Sequence, residues 1–201
     1  MRRSGLRHGG FTLIEILLAV AIIGVLAAIA IPDFLRFQMR AKTSECKSNL
    51  KAIAVAEESY RAENDTYVLA TAQPATVPRA RKASWPVSSC SAPAWSSHGF
   101  CLLGWMPEGD IYYQYEVVAA SSPSAGVGHL DVFTADADAD IDGDGATSSF
   151  GFVKGTDPTG ANAVAGNLGC AATGTFDHAT LSAGVFDAVG PCDATSGLSV
   201  F

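Results

Sequence analysis

From Phe11 to Ile31 the chain reads FTLIEILLAVAIIGVLAAIAI, an apolar run in which Glu15 is the one charged residue. At about 1.5 Å rise per residue, a helix of this length reaches about 30 Å, the hydrocarbon thickness of a bilayer. A membrane-spanning helix over residues 11–32 is therefore predicted. Beyond Pro32 the pattern changes. Phe34, Phe37, Ala41, Leu50, Ile53, Ala54 and Tyr60 recur at mostly helical spacings among charged residues, which predicts an amphipathic continuation over 33–64 with one stripe gripping the rest of the chain. Cys46, four residues before Leu50, falls on that stripe as a buried thiol. Gly24 and Pro32 interrupt the pattern: in a helix interior they cost about 1 and about 3 kcal/mol. The stretch between them is the weakest part of the rod, the part expected to unwind among crowded neighbours.

After residue 64 the helix formers thin out, and aromatic and β-branched clusters alternate with turn signals. HGFCLLGWMPEGDIYYQYEVVAA, residues 98–120, reads as two strands joined by a turn at Pro107-Glu108-Gly109-Asp110. HLDVFTADA and SSFGFVKG add two more strands. The pattern predicts an α+β fold, a long helix packed on a roughly four-stranded antiparallel sheet over 100–155. Residues 65–99 are expected as a connecting loop, and the Gly-rich tail 156–201 as loops.

Composition narrows the function. Much of the 48% hydrophobic content lies in the first 40 residues, so the rest of the 201-residue chain suffices for one modest core. The formal charge of −7, from 13 Lys+Arg against 20 Asp+Glu, argues against nucleic acid as a main partner, because phosphate binding needs a cationic footprint. Cys46, Cys90, Cys101, Cys170 and Cys192 show no CxxC spacing, which removes support for a zinc ribbon, a thioredoxin-type motif or haem attachment. Disulfides in an oxidising compartment fit better. Pairing Cys90 with Cys101 and Cys170 with Cys192 closes two local loops and leaves Cys46 free; pairings that use Cys46 stay open. His98, His129 and His178 are scattered, and no catalytic motif is present. No enzyme is expected.

DADADIDGDGATSSF carries Asp138, Asp140 and Asp142 at positions one, three and five of a calcium-loop pattern, with Gly143 at six. Position twelve is Ser149 instead of the bidentate glutamate, and the flanks read as strands. Two readings follow: a weak calcium site on Asp138, Asp140 and Asp142, or a solvated acidic turn with no cofactor.

Ahead of the apolar run stands MRRSGLRHGG, with Arg2, Arg3 and Arg7. An ordinary signal peptide is cut after its apolar segment. Here the Gly-Gly-Phe-Thr-Leu-Ile-Glu sequence lies before it. Gly10, Phe11, Thr12, Leu13, Ile14 and Glu15, followed by Gly24 and Pro32, resemble the class III leader and N-terminal helix of type IV pilins. FLRFQMRAKTSECKSNLKAIAVAEESYRAENDTY further resembles the helix of major pilins of gliding and predatory bacteria.

The resemblance implies that residues 1–10 are a leader removed by a prepilin peptidase after Gly10, that Phe11 becomes the methylated N-terminus, and that Glu15 neutralises the new amine during assembly. An unpaired carboxylate in hydrocarbon costs roughly 2.5–3.5 kcal/mol on insertion scales, so such a partner matters. It implies residence in the inner membrane, then polymerisation with identical subunits by the pilus assembly machinery into a surface fibre for adhesion and motility. The positive-inside pattern mildly favours the opposite topology, with Arg36, Arg40, Lys42, Lys47 and Lys51 beyond the run against three arginines before it. The leader motif outweighs it. The alternatives are a pseudopilin of a type II secretion system and a minor tip pilin acting as a binding module.

Overall fold

The computed structural model describes residues 10–86 and 99–197. Helix α1 covers Leu13–Asn64 and is unbroken at Gly24 and Pro32. The chain divides into two compact units, one ending at Gln38 and one beginning at Met39. In the first, the helix surface is apolar and bare: Leu13 is 79% exposed and Phe37 71%. A contiguous apolar surface of this kind marks contact with a membrane or with other protein.

The second unit is a head built on two sheets. β1 (Ala70–Gln73), β2 (Gln114–Ala120), β3 (Val132–Ala139), β4 (Ser148–Lys154) and β7 (Val189–Pro191) form an antiparallel sheet in the order β1-β2-β3-β4-β7. β5 (Thr175–Asp177) and β6 (Ser182–Val185) form a separate hairpin. The predicted helix on an antiparallel sheet is present, with one more strand than the four expected.

Strand alternation divides the large sheet into two faces. On one, Tyr115 pairs with Ala137 and Val117 with Ala135 across β2 and β3, while Ala135 pairs with Phe152 and Ala137 with Phe150 across β3 and β4. These residues form the main core with Cys46, Leu50, Ile53 and Ala54 of α1. The helix face is thus narrower than the predicted stripe. At about 100° per residue, Phe34, Phe37 and Ala41 fall roughly opposite Leu50, and Phe34 and Phe37 are exposed. The polar ends of the core tyrosines meet the same helix: Asn49 Nδ2 donates to the Tyr115 hydroxyl at 2.9 Å, and Thr43 Oγ1 lies 3.5 Å from that of Tyr113.

The other face carries Glu116, Thr134, Asp136, Asp138, Ser149, Gly151 and Val153 by register. The C-terminal segment covers it. Val153 packs with Cys170, Cys192, Ala163 and Phe186 in a second small core. Gly151 is required there, because a Cβ would run into the sulfur of Cys170 and to within 3.0 Å of the Ala135 carbonyl oxygen.

Three expectations change. Residues 99–102 form a short helix, α2, instead of a strand. Phe100 and Cys101 are both buried, which a strand with one wet face cannot achieve, and the chain reverses at Gly104, whose φ is +64°. Gly99 abuts the backbone of Leu69 and Ala70 with no room for a side chain. The second change is β1, which lies inside the stretch expected as a connection and pairs with β2 across a bulge. The third is the tail, which contributes β5, β6 and the edge strand β7. Pro191 is tolerated in β7 because an edge strand has a backbone side free of ladder bonds.

Cys170 and Cys192 are disulfide-bonded with Cα atoms 4.5 Å apart. Cys101 is also disulfide-bonded; Cys90, its expected partner, lies outside the described residues. Cys46 is a buried free thiol, and burial pushes its pKa well up.

α1 also buries a carboxylate. Glu57 is fully inaccessible: its Oε2 accepts from the Val68 amide at 3.0 Å, and its Oε1 has no hydrogen-bond partner. Burial pushes its pKa from 4.5 up to about 8. The protonated form is the one the fold prefers, so this group's contribution to stability is complete below about pH 4.5 and lost as pH rises through about 8. In unfolding of the full-length protein in detergent, Glu57→Gln is expected to flatten this pH dependence. Glu57→Ala, which leaves the Val68 amide unpaired, is expected to cost about 1–3 kcal/mol at low pH. An unchanged pH slope in Glu57→Gln would contradict this account.

Candidate functional site

The N-terminal residues are arranged around the start of α1. Gly10 and Phe11 precede the helix in exposed, non-helical chain, Phe11 being 81% exposed, and among the described residues nothing beyond the chain neighbours lies within 4 Å of where a Gly10 side chain would begin. With respect to the described residues the Gly10-Phe11 bond is open and lies ahead of the helix.

Glu15 has a local partner that the sequence reading missed. Its Oε2 accepts from the Thr12 amide at 3.4 Å and from the Thr12 hydroxyl at 3.3 Å, while the Glu15 amide donates to Thr12 Oγ1 at 3.3 Å. This is a capping box, in which N-cap threonine and N3 glutamate satisfy each other's orphan groups. The Thr-x-x-Glu spacing of Thr12 and Glu15 before an apolar run was the signal for it. The carboxylate also sits at the helix end whose dipole favours negative charge. Glu15 is therefore held one turn from Phe11 before any cleavage. Among the described residues Thr12 is the hydrogen-bond partner of the Glu15 carboxylate.

Gly24 and Pro32 are exposed on α1 with ordinary helical structure around them. Nothing lies within 4 Å of a Cβ built at Gly24, so it offers a flat place for a neighbouring backbone. Asp33 and Arg36 pair at 3.8 Å, both well exposed, and such surface pairs contribute about 0–1 kcal/mol.

The acidic loop is not assembled as expected. Asp138 lies in β3, with its Oδ1 accepting from Ser149 Oγ at 3.0 Å on the paired strand. The carboxylates within 4.8 Å of one another are those of Asp140, Asp142 and Asp144. Asp140 is buried, and its two oxygens accept from the amides of Gly143 at 2.7 Å and Gly145 at 3.2 Å. Asp142 accepts from the Asp144 amide at 3.2 Å, and Asp144 from the Ala146 amide at 2.7 Å. Gly143 and Gly145 have φ of +85° and +97°, a conformation that glycine adopts without penalty. The carboxylates close the turn between β3 and β4 by accepting backbone N–H groups, and Arg79 lies 3.9 Å from Asp140.

Comparison with known proteins bears on the first of these sites. Residues 6–31 match the family model of the prokaryotic N-terminal methylation motif. Over 61 residues the chain is 59% identical to the type IV major pilin protein PilA of Myxococcus xanthus, covering 30% of this chain and 28% of that protein. It is 41% identical over 61 residues to the type II secretion system core protein G of Pseudomonas aeruginosa, covering 30% and 43%. A longer match, 29% identical over 118 residues, covers 59% of this chain and 84% of the type IV wide pilus major component PilA4 of Thermus thermophilus. The chain thus spans less than half the length of the first two relatives. The N-terminal segment thus resembles the prokaryotic N-terminal methylation motif, and the head that follows is a helix on an antiparallel sheet, an architecture consistent with the type IV pilin fold.

Proposed function

We propose that the chain is the precursor of a structural subunit of a type IV pilus. The observation that carries this reading is the join of an open Gly10-Phe11 bond to a bare apolar helix whose one charged residue, Glu15, already sits at that end. A prepilin peptidase hydrolyses the bond, and the amine freed at Phe11 is methylated. The apolar surface is covered first by the inner membrane and then, in the fibre, by the helices of identical subunits delivered by the pilus assembly machinery. Glu15 pairs with the amine of Phe11 on its own or a neighbouring helix, which lowers the cost of carrying both charges into an apolar filament core. Within that core the stretch from Gly24 to Ile31 gives up part of its helical bonding. The head faces outward on the cell surface, where the fibre serves adhesion and motility. Its role is mechanical, not catalytic. Loss of the leader removes three of 13 basic residues, leaving 10 against 20 acidic before the new amine is added, which disfavours direct capture of DNA.

A pseudopilin of a type II secretion system is the second reading, favoured by the match to core protein G. The match to a pilus component that extends into the head supports the pilin reading over it. For the acidic loop we favour a turn that holds β3 and β4 in register over a calcium site.

Three outcomes are expected. Mass analysis of the protein in sheared fibres gives an N-terminus at methylated Phe11, and Gly10→Val leaves uncleaved precursor in the membrane; a mature chain beginning near Ile31 or retaining Met1 contradicts the proposal. Glu15→Ala as the sole subunit still inserts but yields few fibres, whereas wild-type fibre numbers would show the pairing to be dispensable. Asp140→Ala lowers the stability of the full-length protein by about 1.5–3 kcal/mol, the range for hydrogen bonds to a charged group. That loss is expected to be equal in chelator and in about 10 mM calcium, a concentration roughly ten times the weakest dissociation constant of extracellular calcium modules. A calcium-dependent rise in the wild-type midpoint that disappears in Asp140→Ala restores the metal reading.

A further inference from the structure

The sheet face turned away from α1 carries an arrangement that pilus assembly does not explain. Glu116 of β2 and Asp136 of β3 are direct cross-strand partners. Side chains so placed have Cβ atoms about 4.5–5.5 Å apart, and like charges there repel. Asp136 is 0% exposed. Among the described residues, no lysine, arginine or histidine makes an ion pair with either.

Both carboxylates are instead used by the C-terminal segment. The Leu168 amide donates to Asp136 Oδ2 at 2.8 Å, and Asn167 Nδ2 donates to Glu116 Oε1 at 3.0 Å. Beside them, Thr134 Oγ1 donates to the Val164 carbonyl at 2.5 Å. Gly166 lies so close to the Asp136 carboxylate that a Cβ would collide with it. The stretch from Val164 to Cys170 is thus buckled onto the sheet through two acidic side chains. Among the described residues each keeps one buried oxygen with no hydrogen-bond partner, Glu116 Oε2 and Asp136 Oδ1.

We propose that Glu116 and Asp136 form a proton-binding site that fastens the C-terminal segment, the two carboxylates sharing one proton when the segment is docked. Two orphan acceptors on neighbouring side chains need a single hydrogen between them. One O–H···O bond satisfies both and removes one of the two negative charges. A hard cation such as calcium takes 6–8 oxygen ligands, and only two are free here. Docking therefore takes up one proton, and undocking returns it to water. The segment that can lift is short, because the Cys170–Cys192 disulfide tethers its C-terminal end.

The surroundings support the same sign. Burial, followed by the charge of Glu116, holds Asp136 above the usual carboxylate range, at about 7, while the backbone amides of Leu168 and Cys170 act in the opposite direction. From β3 itself Asp138 adds a weaker push upward; it is held by Ser149 of β4, and Asp193 of the tail acts on it in turn. The facing residues of β4, Ser149, Gly151 and Val153, and those of the loop, Gly166, Asn167 and Leu168, do not titrate. The docking contribution is complete below the ordinary aspartate pKa near 3.8 and falls as pH rises through about 7.

The test is hydrogen exchange of the backbone amides of residues 164–170 in the full-length protein in detergent, with chelator present and corrected for intrinsic exchange rates. One linked proton predicts that protection falls about tenfold per pH unit, on the order of 100-fold between pH 5 and 8, and levels off above about 7. Asp136→Asn and Glu116→Gln each replace the shared proton with an amide N–H, so either is expected to keep the segment protected with no pH slope. If one variant does not fold, the other decides. Glu57→Gln, on the opposite face, leaves the slope intact and separates this site from that residue's effect on global stability. Protection that is constant from pH 5 to 8 in the wild type overturns the proposal, as does an unchanged slope in the variants. Protection restored at pH 8 by millimolar calcium in place of chelator also overturns it and assigns the site to a cation.

Discussion

The head is organised by a small-residue channel through the middle of its sheet. Ala135 and Ala137 lie on β3 between the larger residues of β2 and β4: Val117 and Phe152 flank Ala135, and Tyr115 and Phe150 flank Ala137. Leu50 and Ile53 of α1 are fully buried in the same core. Interiors pack at near-crystalline density, so small residues in the centre and aromatic ones at the sides shape the space the helix occupies. A larger side chain at Ala135 or Ala137 would force displacements that typically cost about 1–3 kcal/mol. The same contact fixes Asn49 and Thr43 opposite the tyrosine hydroxyls. It also carries Lys47 and Lys51 over the rings of Phe150 and Phe152, at 5.2 and 5.4 Å. Helix register and strand register therefore specify each other.

A sheet with one face given to a helix must still cover the other. In this head the second layer comes from a glycine-rich tail with few large apolar residues, and its core is small: Val153, Cys170, Cys192 and their neighbours Ala163 and Phe186. Polar fastenings and a disulfide replace the burial that such a tail cannot supply. This explains why charged residues appear on an inner face. It also explains why Gly151 and Gly166 are needed where the tail presses closest, against Cys170 and Asp136. The N-terminal unit presents the opposite case, an apolar surface left exposed among the described residues. One part of the chain achieves burial internally with poor material, and the other leaves a large apolar surface exposed.

Glu15 joins these themes. A carboxylate on an otherwise apolar helix is costly in hydrocarbon, yet it is partly satisfied within the helix by Thr12. The cap satisfies the carboxylate with groups of its own first turn.

The long apolar run and the pattern of β2, β3 and β4 were legible from the sequence. Each is local: a period, a spacing or a run length that a few adjacent residues fix without reference to the rest of the chain. Residues 99–106 were misread as a strand because an apolar run does not reveal whether one face or all faces will be buried; aromatic packing of Phe100 with Trp85 and Trp105 accompanies a short helix and turn there. β1 and β7 were missed because four or fewer residues carry little periodicity, and both exist through pairing with strands distant in sequence. Asp138 and Ser149 looked like two positions of one loop, but the register of β3 and β4 made them cross-strand partners. The buckle on Glu116 and Asp136 lies wholly beyond sequence reasoning, since segments some 20 to 50 residues apart meet there. Sequence fixes which segments can be helix, strand or anchor, because those depend on neighbours along the chain. Which carboxylates end up buried together is a property of packing, which only the folded tertiary structure decides.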